Sequence, residues 1–598
     1  MKKILLSITF ALMGIVSGFA AKAYSGIVTV TQSDGTELNV RIYGDEHFNW
    51  LTTEDGVLLV QEGNNYYIAE TTSYGTLKAT NYIAHNANKR LPAEIKAIKK
   101  QDLSRFRSYA IKKASPAKAM GTGNSGVKYF PHSGSPKALV ILVEFSDTPF
   151  QSGEKAKNVF EHFLKGKAED NLPDGYEAYT GSYKNENNLR NKGSVSDYFY
   201  DMSKGTYTPQ FDVVGPYKLN HTSLYYGKGE KDNTYALVSD ACKAADKDVD
   251  FSRYDADGDG MVDLVYLIYA GYPASMSGNP NDIWPKSGPG NDSFGTYDGK
   301  KVCRYGVHAE LNFGRELNQK NGFLLSGIGL FCHEFSHTLG LPDLYPTVDA
   351  SKVDNQNPEM WDLMDGGEYT YNGGYCPTPY SPWEMDAMGW ATPIELSDEK
   401  QTVTLKSYGK ERIAYKIKGE NNEYLLLQNI QKGGWWNGIA NVYKTGMLVW
   451  RIDYNNKDVN LFDNPNNTIG KPKVMIVPAD GYVISDYNKG EGKKYTNDDY
   501  KASLKGDPFP GTTNRTELLS VVLNNSTLEK PIYNIKEENG VITFDYLDNI
   551  SAIQLPSVDE TDMTTKQIFS LDGRYLGNDA SKLTKGIYII GKKKVVIK

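Results

Sequence analysis

The stretch that decides the fold of this chain is Cys332-His333-Glu334-Phe335-Ser336-His337-Thr338-Leu339-Gly340-Leu341-Pro342-Asp343. Histidines four residues apart lie on one face of a helix, so His333 and His337 can present both imidazoles to one Zn²⁺ ion. Glu334 can act as the general base that takes a proton from a zinc-polarised water. Gly340 allows the left-handed turn that ends the helix, after which the chain can return Asp343 to the metal as third ligand. The motif therefore predicts a catalytic zinc site.

The complete pattern, H-E-x-x-H-x-x-G-x-x-D, resembles the zinc-binding motif of the metzincins, which carry His or Asp at the last position. Metzincins also have a methionine-containing turn beneath the zinc. Residues 361–367 form a Gly-rich stretch downstream, and the resemblance makes Met364 the candidate for that turn. A thermolysin-like site with a distant glutamate as third ligand is the alternative, and the spacing of Asp343 argues against it.

The wider context resembles the immune inhibitor A type of secreted bacterial metalloprotease. Around the motif the resembling segments are residues 327–337, 341–345, 361–367, 381–384 and 388–390. Farther away they are residues 44–48, 254–263, 282–285, 446–454, 477–481 and 507–511. The likeness covers most of residues 24–548. Two departures are Arg451 and Lys286, where the family pattern favours His.

Length and composition exclude several classes of protein. A chain of 598 residues is expected to form three to five domains, at about 150 residues each. With 57 Gly, 26 Pro, 39% hydrophobic and 23% charged residues, it is neither collagenous nor largely disordered. A net charge of -7 argues against a general nucleic-acid binder, since such domains are usually strongly basic.

The N-terminus has the features of a secretory signal peptide, which we expect to span residues 1–23. Lys2 and Lys3 precede an apolar run over residues 4–20, and Ala21-Lys22-Ala23 supplies a small-x-small cleavage pattern. A membrane anchor is the alternative. No later stretch of 18 apolar residues occurs, so we expect a secreted protein, extracellular or at the cell surface, without a transmembrane segment in the mature chain. Four cysteines allow three pairings, and the sequence does not choose among them.

The next three regions differ in pattern. Residues 24–126 contain short alternating strands and a Lys-, Ala-, Ser- and Gly-rich linker over residues 112–126, which we expect to be a prodomain and its cleavage site. Residues 127–398 alternate strands with helices, with buried strands expected at residues 138–145 and 264–269 and a helix at 236–245, so this region is predicted to be the α/β, metzincin-like zinc metalloprotease catalytic domain. Residues 399–548 return to period-two strands and are expected to form an all-β, β-sandwich-like domain.

The last region, residues 549–598, is a small strand-rich module. Residues 567–574, 583–590 and 592–598 resemble the type IX secretion sorting domain of Bacteroidetes. The resemblance implies export across the outer membrane, with the secretion machinery as a partner.

Alternating carboxylates elsewhere resemble the first half of an EF-hand calcium loop. Asp255, Asp257, Asp259 and Asp263 can offer side chains, and Met261 can offer its carbonyl. Position twelve is Tyr266, so the bidentate closing ligand is missing. The pattern predicts a structural Ca²⁺ site, and a solvated acidic turn is the alternative.

Taken with the resemblance, these motifs predict a secreted, zinc-dependent endopeptidase that is made as a zymogen and hydrolyses extracellular proteins or peptides. Glu334 is the catalytic residue, and Tyr369 or Tyr380 is the candidate phenolic donor. The alternative from another class is a surface-binding adhesin on a metalloprotease scaffold. The intact zinc motif argues against it, because loss of catalysis usually removes the glutamate.

Overall fold

The computed structural model describes residues 19–45, 48–114, 129–167, 169–179, 190–227, 233–348, 351–352, 357–454, 464–482, 484–485, 495–549, 567–571, 574–590 and 593–597. Residues 1–18 of the expected signal peptide and residues 115–126 of the expected linker lie outside these ranges. The chain divides into two compact units, Met1–Asp548 and Asn549–Lys598.

The first part of the chain forms a six-stranded antiparallel sheet whose strand order follows the sequence. After β1 (Phe19–Ala20), which belongs to another sheet, the strands are β2 (Val28–Thr31), β3 (Glu37–Gly44), β4 (Asn49–Thr53), β5 (Leu58–Glu62), β6 (Asn65–Thr71) and β7 (Leu77–Ile83). Two helices follow, α1 (Pro92–Ile98) and α2 (Leu103–Ala114). Residues 112–114 of the expected linker thus lie in a helix. The apolar face of the sheet packs against Ala274 and Trp284 of the next region.

The described residues of the central region form eight strands. They are β8 (Lys137–Glu144), β9 (Gln210–Lys218), β10 (Met261–Val262), β11 (Val265–Tyr269), β12 (Lys286–Pro289), β13 (Thr296–Tyr297), β14 (Lys300–Val302) and β15 (Arg304–Ala309). The main sheet has the order β1-β12-β15-β11-β8-β9. Strands β15, β11, β8 and β9 are parallel. At one edge β12 pairs antiparallel with β15, and β1 pairs antiparallel with β12.

The described residues of this region also form α-helices. They are α3 (Ala156–Lys165), α4 (Val195–Met202), α5 (Ser223–Gly227), α6 (Thr234–Ala245), α7 (Ala274–Ser277), α8 (Arg315–Asn321), α9 (Ile328–Thr338), the kinked α10 (Thr370–Gly374) and α11 (Pro382–Ala387). Residues 138–143 of β8 are fully buried because one apolar cluster lies on each face of the sheet. The predicted strands at 138–145 and 264–269 and the predicted helix at 236–245 are confirmed. Ser194 is the N-cap of α4, as its hydroxyl accepts a hydrogen bond from the Asp197 amide.

In its described residues, the third region contains a five-stranded, a three-stranded and a two-stranded sheet, and all three contribute to one apolar core. Its strands are β16 (Ile394–Glu395), β17 (Gln401–Leu405), β18 (Tyr415–Lys418), β19 (Glu423–Ile430), β20 (Gly446–Asp453), β21 (Val474–Ile476), β22 (Val521–Val522), β23 (Thr527–Leu528), β24 (Ile532–Glu538) and β25 (Val541–Tyr546). The five-stranded sheet is β16-β18-β19-β20-β21, the three-stranded sheet is β17-β25-β24 and the two-stranded sheet is β22-β23. Helices α12 (Tyr408–Glu411), α13 (Asn437–Val442) and α14 (Asn497–Gly506) also lie here, so the region is β-rich rather than all-β.

Arg451, one of the two departures from the family pattern, lies on β20. Its guanidinium donates hydrogen bonds to the carbonyls of Val522 and Pro472 and to the side chain of Asn524. The arginine therefore ties three segments of the β-rich region together.

The second unit is a four-stranded antiparallel sheet of order β27-β26-β28-β29. The strands are β26 (Ile568–Ser570), β27 (Tyr575–Gly577), β28 (Gly586–Ile590) and β29 (Lys593–Ile597).

Two further features concern the cysteines and the possibility of a membrane-spanning helix. Cys242, Cys332 and Cys376 are buried thiols. In the described part of the chain, no helix has the length and apolar character needed to cross a bilayer.

Candidate metal centre

The two histidines of the motif lie one turn apart on the buried helix α9. Their ring centroids are 4.8 Å apart and the ring planes are nearly perpendicular. Gly340, with φ of +107°, ends the helical path in a conformation that side-chain-bearing residues rarely adopt. The chain then returns Asp343, whose Oδ1 lies 3.3 Å from Nε2 of His333 and 3.2 Å from Nε2 of His337. The structure thus brings together the three residues that the sequence predicted as metal ligands.

The protonation of both rings follows from their other nitrogen. Nδ1 of His333 lies 2.9 Å from the carbonyl oxygen of Leu363, and Nδ1 of His337 lies 2.7 Å from that of Leu341. A carbonyl oxygen can only accept a hydrogen bond, so each Nδ1 carries the proton. In the neutral rings, both Nε2 atoms then direct a lone pair toward Asp343, the arrangement found in metal-binding histidines.

This donor set fits a zinc ion. Three lone-pair atoms face one another in a fully buried site, and without a cation that arrangement is repulsive. Ligands of tetrahedral zinc at about 2.0–2.1 Å would be separated by about 3.3 Å, which matches the distances from Asp343. Two imidazoles and one carboxylate also leave the fourth position open, as catalytic zinc sites require.

The turn that contains Met364 supports this site from below. Met364 is fully buried, and its carbonyl accepts a hydrogen bond of 2.8 Å from the amide of Leu344, next to Asp343. The preceding carbonyl, of Leu363, orients His333. The backbone of this turn therefore holds two of the candidate ligands, and the Met-turn role of Met364 itself stays a prediction.

A glutamate outside the motif does not reach the same face. Glu368 is buried beside the site, but its Oε2 lies 3.6 Å from Nδ1 of His333, and Nδ1 is not the nitrogen that faces Asp343. The described geometry thus favours Asp343 over a thermolysin-like glutamate as third ligand.

Glu334 is fully buried beside the two histidines, and burial raises the pKa of its carboxyl to about 8. Its Oε1 accepts a hydrogen bond of 2.6 Å from the backbone nitrogen of Ala21. The candidate general base therefore accepts a hydrogen bond from a segment far away in the sequence.

That segment, residues 19–23, is named here the cleft segment. Its first two residues form β1 and pair antiparallel with β12, with Ala20 opposite Lys286. The indole of Trp284 donates to the carbonyl of Ala21 at 2.9 Å, and the hydroxyl of Tyr369 donates to that of Lys22 at 2.6 Å. An extended backbone thus crosses the candidate catalytic site along the edge of the main sheet.

The two candidate phenols have different surroundings. Tyr369 contacts the backbone of the cleft segment, as described above. Tyr380 instead hydrogen-bonds to the hydroxyl of Ser336 on α9 and is fully buried in the core. Of the two hydroxyls, that of Tyr369 is therefore the one that contacts the cleft segment.

Sequence reasoning missed the residues that surround Lys22. Its ammonium lies 3.2 Å from Oε2 of Glu359 and 3.0 Å from Oδ1 of Asp365, and all three side chains are at most 3% exposed. Asp365 lies within the stretch that drew attention to Met364, but no local pattern links it to residue 22.

The acidic loop after α6 brings three of the predicted calcium ligands close together. Carboxylate oxygens of Asp255, Asp257 and Asp263 lie within 4.8 Å of one another. Lys300 pairs with Asp255 at 2.7 Å, and Tyr266, at the twelfth position, is buried in β11. The calcium site therefore stays a prediction, as do the roles of Asp259 and Met261.

Comparison with known proteins adds to this geometry. Residues 128–390, which include the metal motif, match the family model described as immune inhibitor A peptidase M6, catalytic domain. Immune inhibitor A of Bacillus thuringiensis subsp. alesti is 26% identical over 320 residues, which is 44% of this chain and 42% of that protein. Pre-pro-metalloprotease PrtV of Vibrio cholerae serotype O1 (strain M66-2) is 24% identical over 282 residues, 41% of this chain and 29% of that protein. The aligned part therefore spans less than half the length of each relative.

Proposed function

We propose that this chain is a zinc-dependent endopeptidase, secreted and made as a zymogen, that acts on extracellular proteins or peptides. The observation that carries the proposal is the convergence of two histidine lone pairs and the Asp343 carboxylate at 3.2–3.3 Å, with Glu334 beside them. The similarity of residues 128–390 to a metallopeptidase catalytic domain supports the same reading.

In this mechanism His333, His337 and Asp343 would hold the zinc ion. When bound, the ion supplies the positive charge that activates a water molecule and polarises the scissile carbonyl. Glu334 takes a proton from the attacking water and returns it to the leaving amine. The amide of Ala21, 2.6 Å from Glu334 Oε1, marks the place where that amine would lie.

The edge strand β12, Trp284 and Tyr369 bind the substrate backbone. β12 pairs with the cleft segment antiparallel, and the two aromatic side chains donate to successive carbonyls, those of Ala21 and Lys22. Main-chain contacts of this kind align a peptide without selecting its side chains.

Residues 19–23 belong to the expected signal peptide, so the same contacts account for latency only while that peptide is attached. After its removal, the proposed latency rests on the sheet of residues 28–83, which packs against Trp284. The cleft segment occupies the place that a substrate would take, and residues 28–83 form the sheet that packs beside it. No cysteine occurs between Tyr24 and Gly126, so inhibition does not use a thiolate ligand to zinc. Cleavage in the linker after α2 would separate this N-terminal region from the rest of the chain.

Secretion is supported by the signal-like N-terminus and by the module at residues 549–598, which resembles a sorting domain that hands proteins to an outer-membrane secretion machinery. A relative from Arthroderma benhamiae, 22% identical over 283 residues, 41% of this chain and 39% of that protein, carries the words secreted metallopeptidase in its name. The loop at residues 255–263 would bind a structural Ca²⁺ in the extracellular medium, where calcium is abundant enough to fill weak sites.

The deciding experiment is cleavage of casein by the purified chain, with and without a zinc chelator. We expect hydrolysis that the chelator abolishes and added zinc restores. A chain that binds zinc but cleaves no protein or peptide under any activating treatment would instead favour an adhesin on a metalloprotease scaffold.

A further inference from the structure

A buried pair of carboxylates lies beside the candidate catalytic site. Glu359 and Asp365 enclose the ammonium of Lys22 at 3.2 Å and 3.0 Å, and Lys22 is only 2% exposed. A lysine is seldom fully buried unless it is paired. The pocket therefore matches a basic side chain in both charge and depth.

The pocket is held by residues other than Lys22. Oδ2 of Asp365 accepts a hydrogen bond of 2.8 Å from the amide of Glu359, and the hydroxyl of Tyr500 donates to Oε2 of Glu359 at 3.0 Å. Glu359 has a φ of +51°, which is uncommon for a residue other than glycine. Such conformations persist where the surroundings determine them, and they cluster at binding sites.

The backbone contacts indicate which residue of a bound peptide would enter the pocket. Ala21 places its nitrogen at Glu334, where the leaving amine of a substrate would lie, and Lys22 is the next residue. In a substrate bound in the same way, the side chain that enters the pocket belongs to the second residue after the scissile bond.

We propose that Glu359 and Asp365 form a specificity pocket that selects lysine or arginine at the second position after the scissile bond. The inference rests on the proposed peptidase function and adds its substrate class. A neutral side chain would not replace the ammonium that lies within 3.2 Å of both buried carboxylates, and loss of a close counter-charge from buried carboxylates is strongly unfavourable. A basic side chain supplies that charge together with several hydrogen-bond donors.

The chain itself contains a second segment with this pattern. Ala21-Lys22-Ala23 recurs as Ala117-Lys118-Ala119 in the expected linker. Bound in the register of the cleft segment, the linker would place Ala117 at Glu334 and Lys118 in the pocket. Cleavage would then fall between Pro116 and Ala117, so the enzyme is expected to process its own linker.

The test uses the zinc-loaded full chain carrying Lys22→Gln, which removes the pocket's own cation. The substrates are a peptide of residues 114–122 and matched peptides in which arginine or norleucine replaces Lys118. We expect kcat/KM for the lysine and arginine peptides to exceed that for the norleucine peptide at least tenfold, with cleavage between Pro116 and Ala117. Adding Glu359→Gln and Asp365→Asn should reduce that ratio to near one.

Equal rates for lysine and norleucine, or a ratio that the added substitutions do not change, would overturn the inference. Glu359→Gln alone is the milder variant, because its amide oxygen can still accept from Tyr500, and zinc content reports whether each variant keeps its site. If no chain cleaves any peptide, the proposed function fails. The affinities of fluorescently labelled lysine and norleucine peptides then decide the pocket separately, with equal affinities counting against it.

Discussion

The backbone nitrogen of Ala21 lies 2.6 Å from Oε1 of Glu334, although 313 residues separate them in the sequence. This hydrogen bond occupies the carboxylate that would otherwise receive the proton of an attacking water. We infer from this one contact the path of a bound peptide and the position of its leaving nitrogen, and we propose that it restrains a chain that still carries Ala21.

The first prediction concerns Glu334. Replacing it in Glu334→Gln should preserve zinc binding but reduce peptide hydrolysis by at least about a hundredfold, because an amide cannot take a proton. Zinc content by atomic emission and initial rates on a fluorogenic peptide measure the two effects separately.

The matched control is Glu161→Gln, which makes the same chemical change at a partly exposed position on α3. It should retain both zinc and activity. A Glu334→Gln chain with stoichiometric zinc and near-native rates would exclude Glu334 as the base.

The sequence could predict the part of the site whose residues are close together in the chain. It could not predict the part that depends on contacts between residues far apart in the chain. His333, His337, Gly340 and Asp343 lie within eleven residues, so helical spacing and one turn already place three ligands together. The pocket of Glu359 and Asp365 depends on contacts with Lys22 across 337 and 343 residues, which no local pattern encodes.

The same difference between local and long-range contacts applies to the strands of the main sheet. Strands β8 and β11 are continuous apolar runs with both faces covered, so their burial can be predicted from their composition. The edge strand β12 reads Lys-Ser-Gly-Pro, which has neither alternation nor apolar character. It forms because β15 and the cleft segment flank it, and that neighbourhood is a product of the whole fold.

The second prediction concerns Asp343. Asp343→Ala should lose zinc, because only two protein ligands would remain. Loss of residues that merely orient a ligand costs about 10–100-fold in metal affinity, so loss of a direct ligand should cost more. Competition with a chromogenic chelator measures the change.

Asp292→Ala, at an aspartate whose side chain is 88% exposed, is the control and should bind zinc normally. Unchanged zinc affinity in Asp343→Ala, together with loss of zinc in Glu368→Ala, would support the thermolysin-like alternative.

The third prediction concerns the pH dependence of stability. His308 is fully buried, and burial lowers the pKa of its imidazole to about 3. In the unfolded chain the pKa returns to about 6.5, so the unfolded state binds a proton that the folded state does not. The free energy of unfolding therefore contains the full contribution of neutral His308 above about pH 6.5. This contribution falls as the pH drops toward 3, by about 2 kcal/mol at pH 5.

His308→Leu removes this titration, so its stability should fall by about 2 kcal/mol less than that of the wild type between pH 7.5 and pH 5. Urea unfolding followed by tryptophan fluorescence at both pH values measures the difference. The exposed His221, changed in His221→Leu, is the control and should behave like the wild type. Equal pH dependence in the wild type and His308→Leu would contradict a neutral buried imidazole.

The fourth prediction concerns latency. An uncut chain that begins at Ala21 retains the part of the cleft segment that contacts Glu334, Trp284 and Tyr369, whereas a chain that begins at Tyr24 lacks it. The first should therefore be less active than the second. Limited trypsin digestion should raise the activity of both, with the new N-terminus between residues 105 and 135, because the linker gives a protease access without disturbing either fold.

Two substitutions of Lys22 test the restraint by the cleft segment more directly. In the chain that begins at Ala21, Lys22→Gln leaves Glu359 and Asp365 without their counter-charge and should raise the activity of the uncut protein, whereas Lys22→Arg keeps the charge and should stay latent. Peptidase rates before and after trypsin, with the new N-terminus sequenced, measure both effects. Full activity in the uncut chain that begins at Ala21, or activation only by cuts outside residues 105–135, would show that the cleft segment does not restrain the enzyme.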